Sequence, residues 1–226
     1  FGGGTANLGN EVSTNTHGIT IRQAYVTWNN WLAGQTWSNF MDVAALPEAV
    51  DFIGPTDGVI FVRQAQIRYT KGGFSVALEN PETTLVGSTS SDRGALPDLT
   101  LRYGWKGDWG TFGVGALARQ LKVDRPGYDD SSFAGGLTVG GKWLMGSNDT
   151  LHYQLTGGEG IARYIGLGIT GDGVLDASDG SLDTTGVLAG YVGWRHAFSP
   201  KLRSNVIFAR SDYDNDAALT GPLATK

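Results

Sequence analysis

The basic residues of this chain are placed unevenly, and their chemistry points to anion binding. The ten β-strands that we predict below contain eight Arg and three Lys but one carboxylate, that of Glu79, out of 22 acidic residues. A guanidinium holds a carboxylate or phosphate in a two-pronged fork, and rings of Arg and Lys select anions where they line a pore. A solvated sheet face is the alternative, but such a face normally mixes both signs of charge. The candidate residues on the predicted polar face are Arg22, Arg68, Arg102, Lys106, Arg119, Lys142, Arg195 and Arg203.

No group of residues has the spacing of a familiar catalytic site. His17, His152 and His196 are far apart, and neither G-x-S-x-G nor H-E-x-x-H occurs. The segment 166–171 matches G-x-G-x-x-G, but the residues after it do not read as the helix that a dinucleotide site needs. We therefore expect no enzymatic activity and no cofactor.

An acidic loop raises the question of a metal. Asp172, Asp176, Asp179 and Asp183 lie close in sequence, and Ca²⁺ prefers such oxygen ligands. The spacing lacks the order of an EF-hand and its closing Glu, so a solvated loop is our main prediction and a calcium site the alternative. The absence of Cys excludes thiolate sites, and the net charge of −5 argues against nucleic-acid binding.

The elements that carry these side chains read as β-strands. Most of the ten are 8 to 13 residues long, nearer to the ~9–11 residues of strands that cross a bilayer than to the ~5–6 of soluble strands. No run of 18 or more apolar residues occurs, which excludes a transmembrane helix. The predicted strands are 19–28, 31–37, 59–70, 73–80, 99–107, 109–121, 133–145, 150–157, 186–198 and 201–211.

Short and long connections alternate along the chain, as in an outer-membrane barrel. Aromatic residues such as Trp28, Trp105, Trp143 and Trp194 lie beside the short turns, where a barrel has an aromatic girdle and a soluble sheet would bury them in its core. Tight turns are predicted at Asn29-Asn30, Lys71-Gly72, Gly107-Asp108, Ser147-Asn148-Asp149 and Ser199-Pro200, and long connections at 38–58, 81–98, 122–132, 158–185 and from 212 onward.

Alternation separates an apolar from a polar face in most of the strands. Leu101 and Trp105, for example, oppose Arg102 and Lys106, while Arg63 and Arg210 fall on the apolar side. We predict an all-β fold, a transmembrane antiparallel meander β-barrel whose apolar face meets lipid. A soluble all-β module that binds carbohydrate or another ligand is the alternative, with the apolar face as its core.

The long connection 38–58 is too apolar to be free in water. Folding into the barrel would bury its apolar residues and narrow the pore, whereas packing over the barrel mouth or against another subunit is the alternative. Asp42, Glu48 and Asp51 would then face arginines of the wall. The apolar residues that we expect to be buried are Phe40, Met41, Val43, Leu46, Val50, Phe52 and Ile53.

The same region carries a family resemblance. Residues 32–42, LAGQTWSNFMD, then Leu46-Pro47-Glu48, Asp51-Phe52, Gly54-Pro55 and residues 61–70, FVRQAQIRYT, resemble the DcaP-like family of Gram-negative porins. The match is dense over about 17–80 and diffuse elsewhere. The resemblance implies a sixteen-stranded homotrimeric barrel that takes up small anions, particularly dicarboxylates, by passive diffusion. It also implies that 38–58, joining the fifth and sixth strands, is the constriction loop.

In that register we expect residues 1–226 to be part of a single barrel, with about ten of sixteen strands present and strands missing at both ends. Ten strands alone would leave two bare edges, which lipid does not tolerate. We expect the protein to lie in the outer membrane of a Gram-negative bacterium. Its expected partners are membrane lipid and lipopolysaccharide, further copies of itself and small anionic solutes.

Overall fold

The computed structural model describes residues 21–88, 91–176 and 179–214. Its main element is one antiparallel sheet of ten strands, ordered β1-β2-β3-β4-β7-β8-β9-β10-β13-β14, and the pairs β5-β6 and β11-β12 are small ribbons within loops. The strands are β1 (Ala24–Trp28), β2 (Trp31–Trp37), β3 (Arg63–Lys71), β4 (Phe74–Glu79), β5 (Thr83–Thr84), β6 (Ser91–Asp92), β7 (Asp98–Gly107), β8 (Gly110–Arg125), β9 (Tyr128–Met145), β10 (Asp149–Glu159), β11 (Gly173–Leu175), β12 (Leu182–Thr184), β13 (Gly186–Ser199) and β14 (Leu202–Asp214). Short 3-10 helices occupy Val43–Ala45 and Ala162–Tyr164.

The ten predicted strands are confirmed, and 31–37 has the predicted bounds. The predicted strand 59–70 begins only at Arg63. Of the predicted strand 19–28, the first two residues lie outside the described part of the chain, and residues 21–23 precede β1, which begins at Ala24. The prediction of a long loop at 122–132 is wrong. β8 and β9 continue through it as a paired hairpin that turns at Pro126-Gly127, where Gly127 has a φ of +90°.

This hairpin is longer than predicted because loops pack against its extension. Leu121 and Val123 on β8 are fully buried in a small apolar cluster with Leu85 and Leu182, which come from two different loops. Sequence alternation shows that these positions share a face, but the burying partners are more than 30 residues away in the chain.

The apolar face of the sheet is exposed over its whole width, as the barrel prediction requires. Leu101, Leu137, Val192 and Phe208 are all exposed on it, although they lie in the middle of four different strands. A soluble sheet would bury the aromatic residues beside the short turns in its core. This alternative is wrong, since those residues are exposed as well. These are Trp28, Trp31, Phe74, Trp105, Trp109, Trp143, Trp194 and Phe198. Among the described residues, no helix has the length and apolar character needed to cross a bilayer.

The hydrophobic core lies on the opposite, polar face. Two loops, 38–62 and 160–172, bring their apolar residues together there, so that Phe40, Ile60 and Tyr164 are completely buried. Leu117 on β8 and Tyr191 on β13 are the wall residues beneath them. The core is therefore made between loops and wall, and the strands do not form a two-layer sandwich.

If the exposed apolar face meets lipid, the free-energy cost of a charged substitution on it should depend on the depth of the residue in the bilayer. Leu137→Arg lies at mid-strand on β9 and should lower the free energy of unfolding in lipid vesicles by about 2–4 kcal/mol, whereas Leu202→Arg, beside a short turn, should cost about 0–1 kcal/mol. Denaturant titration of the two variants in vesicles measures the difference. Equal costs at the two positions would contradict a lipid-facing sheet.

Candidate functional site

The loop 38–58 begins with a buried anchor on the polar face. The Glu79 carboxylate accepts hydrogen bonds from Ser38 Oγ at 2.8 Å, from the backbone N–H of Asn39 at 2.7 Å and from Thr100 Oγ1 at 3.1 Å. Asn39 Oδ1 accepts a further bond from Ser75 Oγ at 2.6 Å. Glu79, the one strand carboxylate that the sequence singled out, therefore fixes where the loop leaves β2 and turns onto the wall.

The next contact joins the loop to β7. Asp42 Oδ1 lies 2.6 Å from Arg102 Nη2 and also accepts the backbone N–H of Ala44 at 3.0 Å, which caps the 3-10 helix Val43–Ala45. A β-carbon on Gly113 would lie 2.9 Å from Asp42 Oδ2, so a glycine at this wall position leaves room for the carboxylate. The side chains of this ion pair are largely buried.

The loop then crosses β10 and β13. His152 Nδ1 donates to the carbonyl oxygen of Ala45 at 3.1 Å, and Pro47 packs against Gly193, where an added β-carbon would lie 2.9 Å from Pro47 Cβ. From Ser38 to Pro47 the chain thus passes over the polar face from β4 to β13.

The crossing ends on β14. Arg203 Nε donates to both carboxylate oxygens of Glu48, at 2.7 and 2.9 Å, and Arg203 Nη2 also donates to Glu48 Oε1. The hydrogen bonds from Arg203 lower the pKa of Glu48 from its ordinary value, so this carboxylate is ionised at neutral pH. Both side chains are about half exposed, unlike the pair of Asp42 and Arg102.

Part of the loop prediction is wrong. Phe40 and Met41 are buried, but Val43, Val50 and Phe52 are exposed, because a single layer of chain has one side against the sheet and the other away from it. Asp51 is also exposed; it accepts the backbone N–H of Ile53 at 3.3 Å and makes no ion pair among the described residues.

Most predicted cations lie on the polar face, and several are unpaired. Lys142 and His152 are directly opposite one another on β9 and β10, and Arg195 Nη2 donates to Thr150 Oγ1 at 3.0 Å. Within the described ranges, no carboxylate lies at ion-pairing distance from Arg68, Lys106, Lys142 or Arg195. These four side chains therefore leave positive charge on the face that the loop crosses.

Two arginines lie at the long-loop edge. Arg22 precedes β1, and its guanidinium is 5.5 Å from the centre of the Phe52 ring. Arg63 lies on the same face of β3 as Ala65 and Ile67, as predicted, and its guanidinium is 3.8 Å from the centre of the Trp37 ring and 6.0 Å from that of Phe52. Arg210, also predicted on the apolar face, is exposed and paired with Asp212.

Arg119 does not line an open surface, and that prediction is wrong. Its side chain is completely buried, 3.2 Å from Asp98 Oδ2 and 3.1 Å from Asp172 Oδ1, and its Nη1 donates to the carbonyl oxygen of Gly160 at 2.9 Å. The residue lies on the polar face, but the loop 160–172 covers it. Alternation predicts the face of the sheet on which a side chain lies. It does not predict which loops cover that face.

The contacts of Asp172 argue against the alternative of a calcium site in the acidic loop. Asp172 is buried and its oxygens accept bonds from Arg119, from Thr84 and from the backbone N–H of Arg163. Asp179 instead bonds the backbone N–H of Ser181, which lowers the pKa of Asp179, and Asp183 is exposed on β12. Over the described residues, Asp176 included, no cluster of three or more His, Cys, Asp or Glu has the arrangement of a metal site.

Sequence reasoning missed the residue that joins the two loops. Tyr164 Oη donates to Asp98 Oδ2 at 2.7 Å, accepts from Gln64 Nε2 at 3.2 Å, and its ring meets Phe40 edge-on at 5.9 Å. Burial raises the pKa of Tyr164 well above its ordinary value, so the hydroxyl stays neutral. The apolar run Ile161-Ala162-Arg163-Tyr164-Ile165 was the available signal, since it is as unsuited to water as the loop 38–58.

Comparison with known proteins decides the family. The sequence profile of the DcaP outer membrane proteins matches residues 4–180. The chain belongs to the DcaP outer membrane protein family. Its structure resembles the crystal structure of the outer membrane channel DcaP of Acinetobacter baumannii, with a TM-score of 0.76 and 27% sequence identity, over 93% of this chain and 62% of that one. No protein with a curated description matches the sequence.

Membership of the DcaP family settles where the protein lies. It is a protein of the Gram-negative outer membrane, and the alternative of a soluble carbohydrate- or ligand-binding module is wrong. The chain spans about 62% of the length of the Acinetobacter baumannii channel. In outer-membrane proteins the short turns are periplasmic and the long loops extracellular, so the two covering loops enter from the cell exterior.

The Glu79 anchor predicts how the DcaP-family loop is held. Glu79→Ala removes the acceptor of three hydrogen bonds and should lower the free energy of unfolding by about 1–3 kcal/mol for each buried donor left unpaired. Phe40 should then become open to chymotrypsin, whereas Phe52 is exposed already and is the internal reference. Mass spectrometry of the digest gives the answer, with Glu159→Ala as the control; protection of Phe40 in Glu79→Ala would refute the anchor.

The buried ion cluster predicts a rescue. Arg119→Met leaves Asp98 and Asp172 buried without their main partner and should cost about 3–5 kcal/mol. Adding Asp98→Asn and Asp172→Asn removes both unpaired charges, so the triple variant should recover much of that loss. Denaturant unfolding of the three proteins in detergent micelles compares them, and a triple variant as unstable as Arg119→Met alone would contradict the assignment.

Proposed function

We propose that this chain is the major part of an outer-membrane porin that lets small anions, dicarboxylates among them, diffuse passively through a cationic lumen. The observation that carries the proposal is a set of cations on the face crossed by the loop that have no carboxylate at ion-pairing distance within the described ranges: Arg68, Lys106, Lys142 and Arg195. A carboxylate passing them would exchange water for guanidinium and ammonium contacts, and weak repeated contacts allow a solute both to enter and to leave.

The loop 38–58 is the constriction in this proposal, and residues 1–226 form part of a single barrel. Its contacts at Glu79, Arg102, His152 and Arg203 hold it across the polar face. A segment held in this way would reduce the open cross-section and is flanked by wall cations. Further strands would pair with the edges of β1 and β14 and close the barrel, since lipid does not tolerate unpaired backbone groups.

Passage through such a pore makes and breaks no bond, so the proposed protein is not an enzyme and uses no cofactor. The homotrimer remains part of the proposal because the family resemblance implies it. Lipid and lipopolysaccharide are the proposed surroundings of the exposed apolar face. Detergent-stable trimers on a gel, dissociating on heating, would support the assembly.

Ion selectivity tests the cationic lumen. Arg68→Gln and Arg195→Gln each remove an unpaired lumen charge, worth about 1 kcal/mol near a small ion in water, and should lower the chloride-to-potassium permeability ratio by about fivefold. The measurement is the reversal potential of the complete protein in a planar bilayer under a KCl gradient. Arg210→Gln, on the apolar face, is the matched control and should leave the ratio unchanged.

Two outcomes would count against the proposal. A wild-type reversal potential that favours cations would mean that the carboxylates of the loop govern the pore. An equal effect of Arg68→Gln and Arg210→Gln would mean that the polar face does not line the conduction pathway.

A further inference from the structure

We propose that Glu48 is a built-in competitor for the transported anion: its carboxylate occupies Arg203 until a solute carboxylate displaces it. This inference rests on the proposed function, because it concerns how the pore binds its solute. It assigns different roles to the two acidic residues through which the loop 38–58 contacts the wall.

The two ion pairs of the loop differ in burial. Asp42 and Arg102 have side chains that are 8% and 27% exposed, and Asp42 also caps the 3-10 helix, so this pair is a fixed part of the loop. Glu48 and Arg203 have side chains that are 45% and 48% exposed. Within the described residues, the Glu48 carboxylate has hydrogen bonds from Arg203 alone. An exposed carboxylate held by one partner exchanges far more easily than a buried one held by two.

The contact of Glu48 with Arg203 has the geometry that a solute carboxylate would adopt. Nε and Nη2 of one guanidinium both bond the carboxylate, which is the two-pronged arrangement by which Arg binds free carboxylates. An incoming anion would replace these bonds by equivalent ones, while Glu48 would become hydrated. The free energy of binding a solute carboxylate in place of Glu48 is therefore small, so a solute can both bind and leave.

The surroundings of the pair attract an anion. The positive charge of Arg195 also acts at Glu48. Arg195 makes no ion pair among the described residues, so its guanidinium could hold a second carboxylate of the same solute.

Block of chloride current by succinate tests the proposal. In planar bilayers containing the complete protein, Glu48→Gln should lower the succinate concentration that halves the current by about tenfold, because the competitor is gone. In an Arg203→Gln background, the same change should have little effect. Asp212→Asn is the matched control, since it removes a carboxylate that is likewise forked by an arginine, Arg210, but on the apolar face.

The outcomes separate this inference from the proposed function. An unchanged half-blocking concentration in Glu48→Gln overturns the inference, and so does an equal decrease with and without Arg203, which would indicate a general effect of loop charge. If Glu48→Gln does not fold, as judged by its heat-dependent shift on a gel, Glu48→Ala removes the same carboxylate and must give the same decrease. A wild-type protein that conducts no chloride would overturn the proposed function itself.

Discussion

Every backbone N–H and C=O group within the hydrocarbon must find a partner inside the protein, and this requirement governs the structure. The ten strands of the main sheet satisfy it by pairing with their neighbours, except at the outer edges of β1 and β14. Because strand side chains alternate, the same pairing produces an apolar face for lipid and a polar face opposite. Everything specific to this protein, including its loops and charges, is arranged on that second face.

The polar face is organised by charge pairs of very different burial. Arg119 with Asp98 and Asp172 is completely enclosed and fixes the loop 160–172. Asp42 with Arg102 is intermediate, and Glu48 with Arg203 is the most exposed. Burial thus differs widely among the three pairs, and the most exposed pair, on the edge strand β14, is the exchangeable one. Among the described residues, Arg68, Lys106, Lys142 and Arg195 make no ion pair with these carboxylates.

Sequence patterns predicted the strands well because alternation and turn residues are local properties. They also predicted that 38–58 lies against cations of the wall, which the structure shows for Asp42 and Glu48 and not for Asp51. They failed for Arg119, because its covering loop lies some 40 residues away, and for Asp172, whose partner is a strand residue that alternation assigned to water. The hairpin around Pro126-Gly127 was missed for a related reason, since its burial depends on Leu85 and Leu182. Alternation along a strand identifies the face on which a side chain lies, and contacts with distant parts of the chain decide whether that side chain is buried.

The glycines of the polar face affect how substitutions can alter such a protein in evolution. At Gly113 and Gly193 the loop sits where a β-carbon would be, against Asp42 and Pro47. A single methyl group there would push the loop away from the wall and alter the width of the passage, with every charge left in place. Exchanging Arg68 or Arg195 alters attraction and removes none of the ion pairs that hold the loop. In the proposed pore, solute size and solute charge would therefore be adjustable through separate sets of positions, so a lineage could change the size of the solute that passes while keeping the sign of charge that the pore prefers.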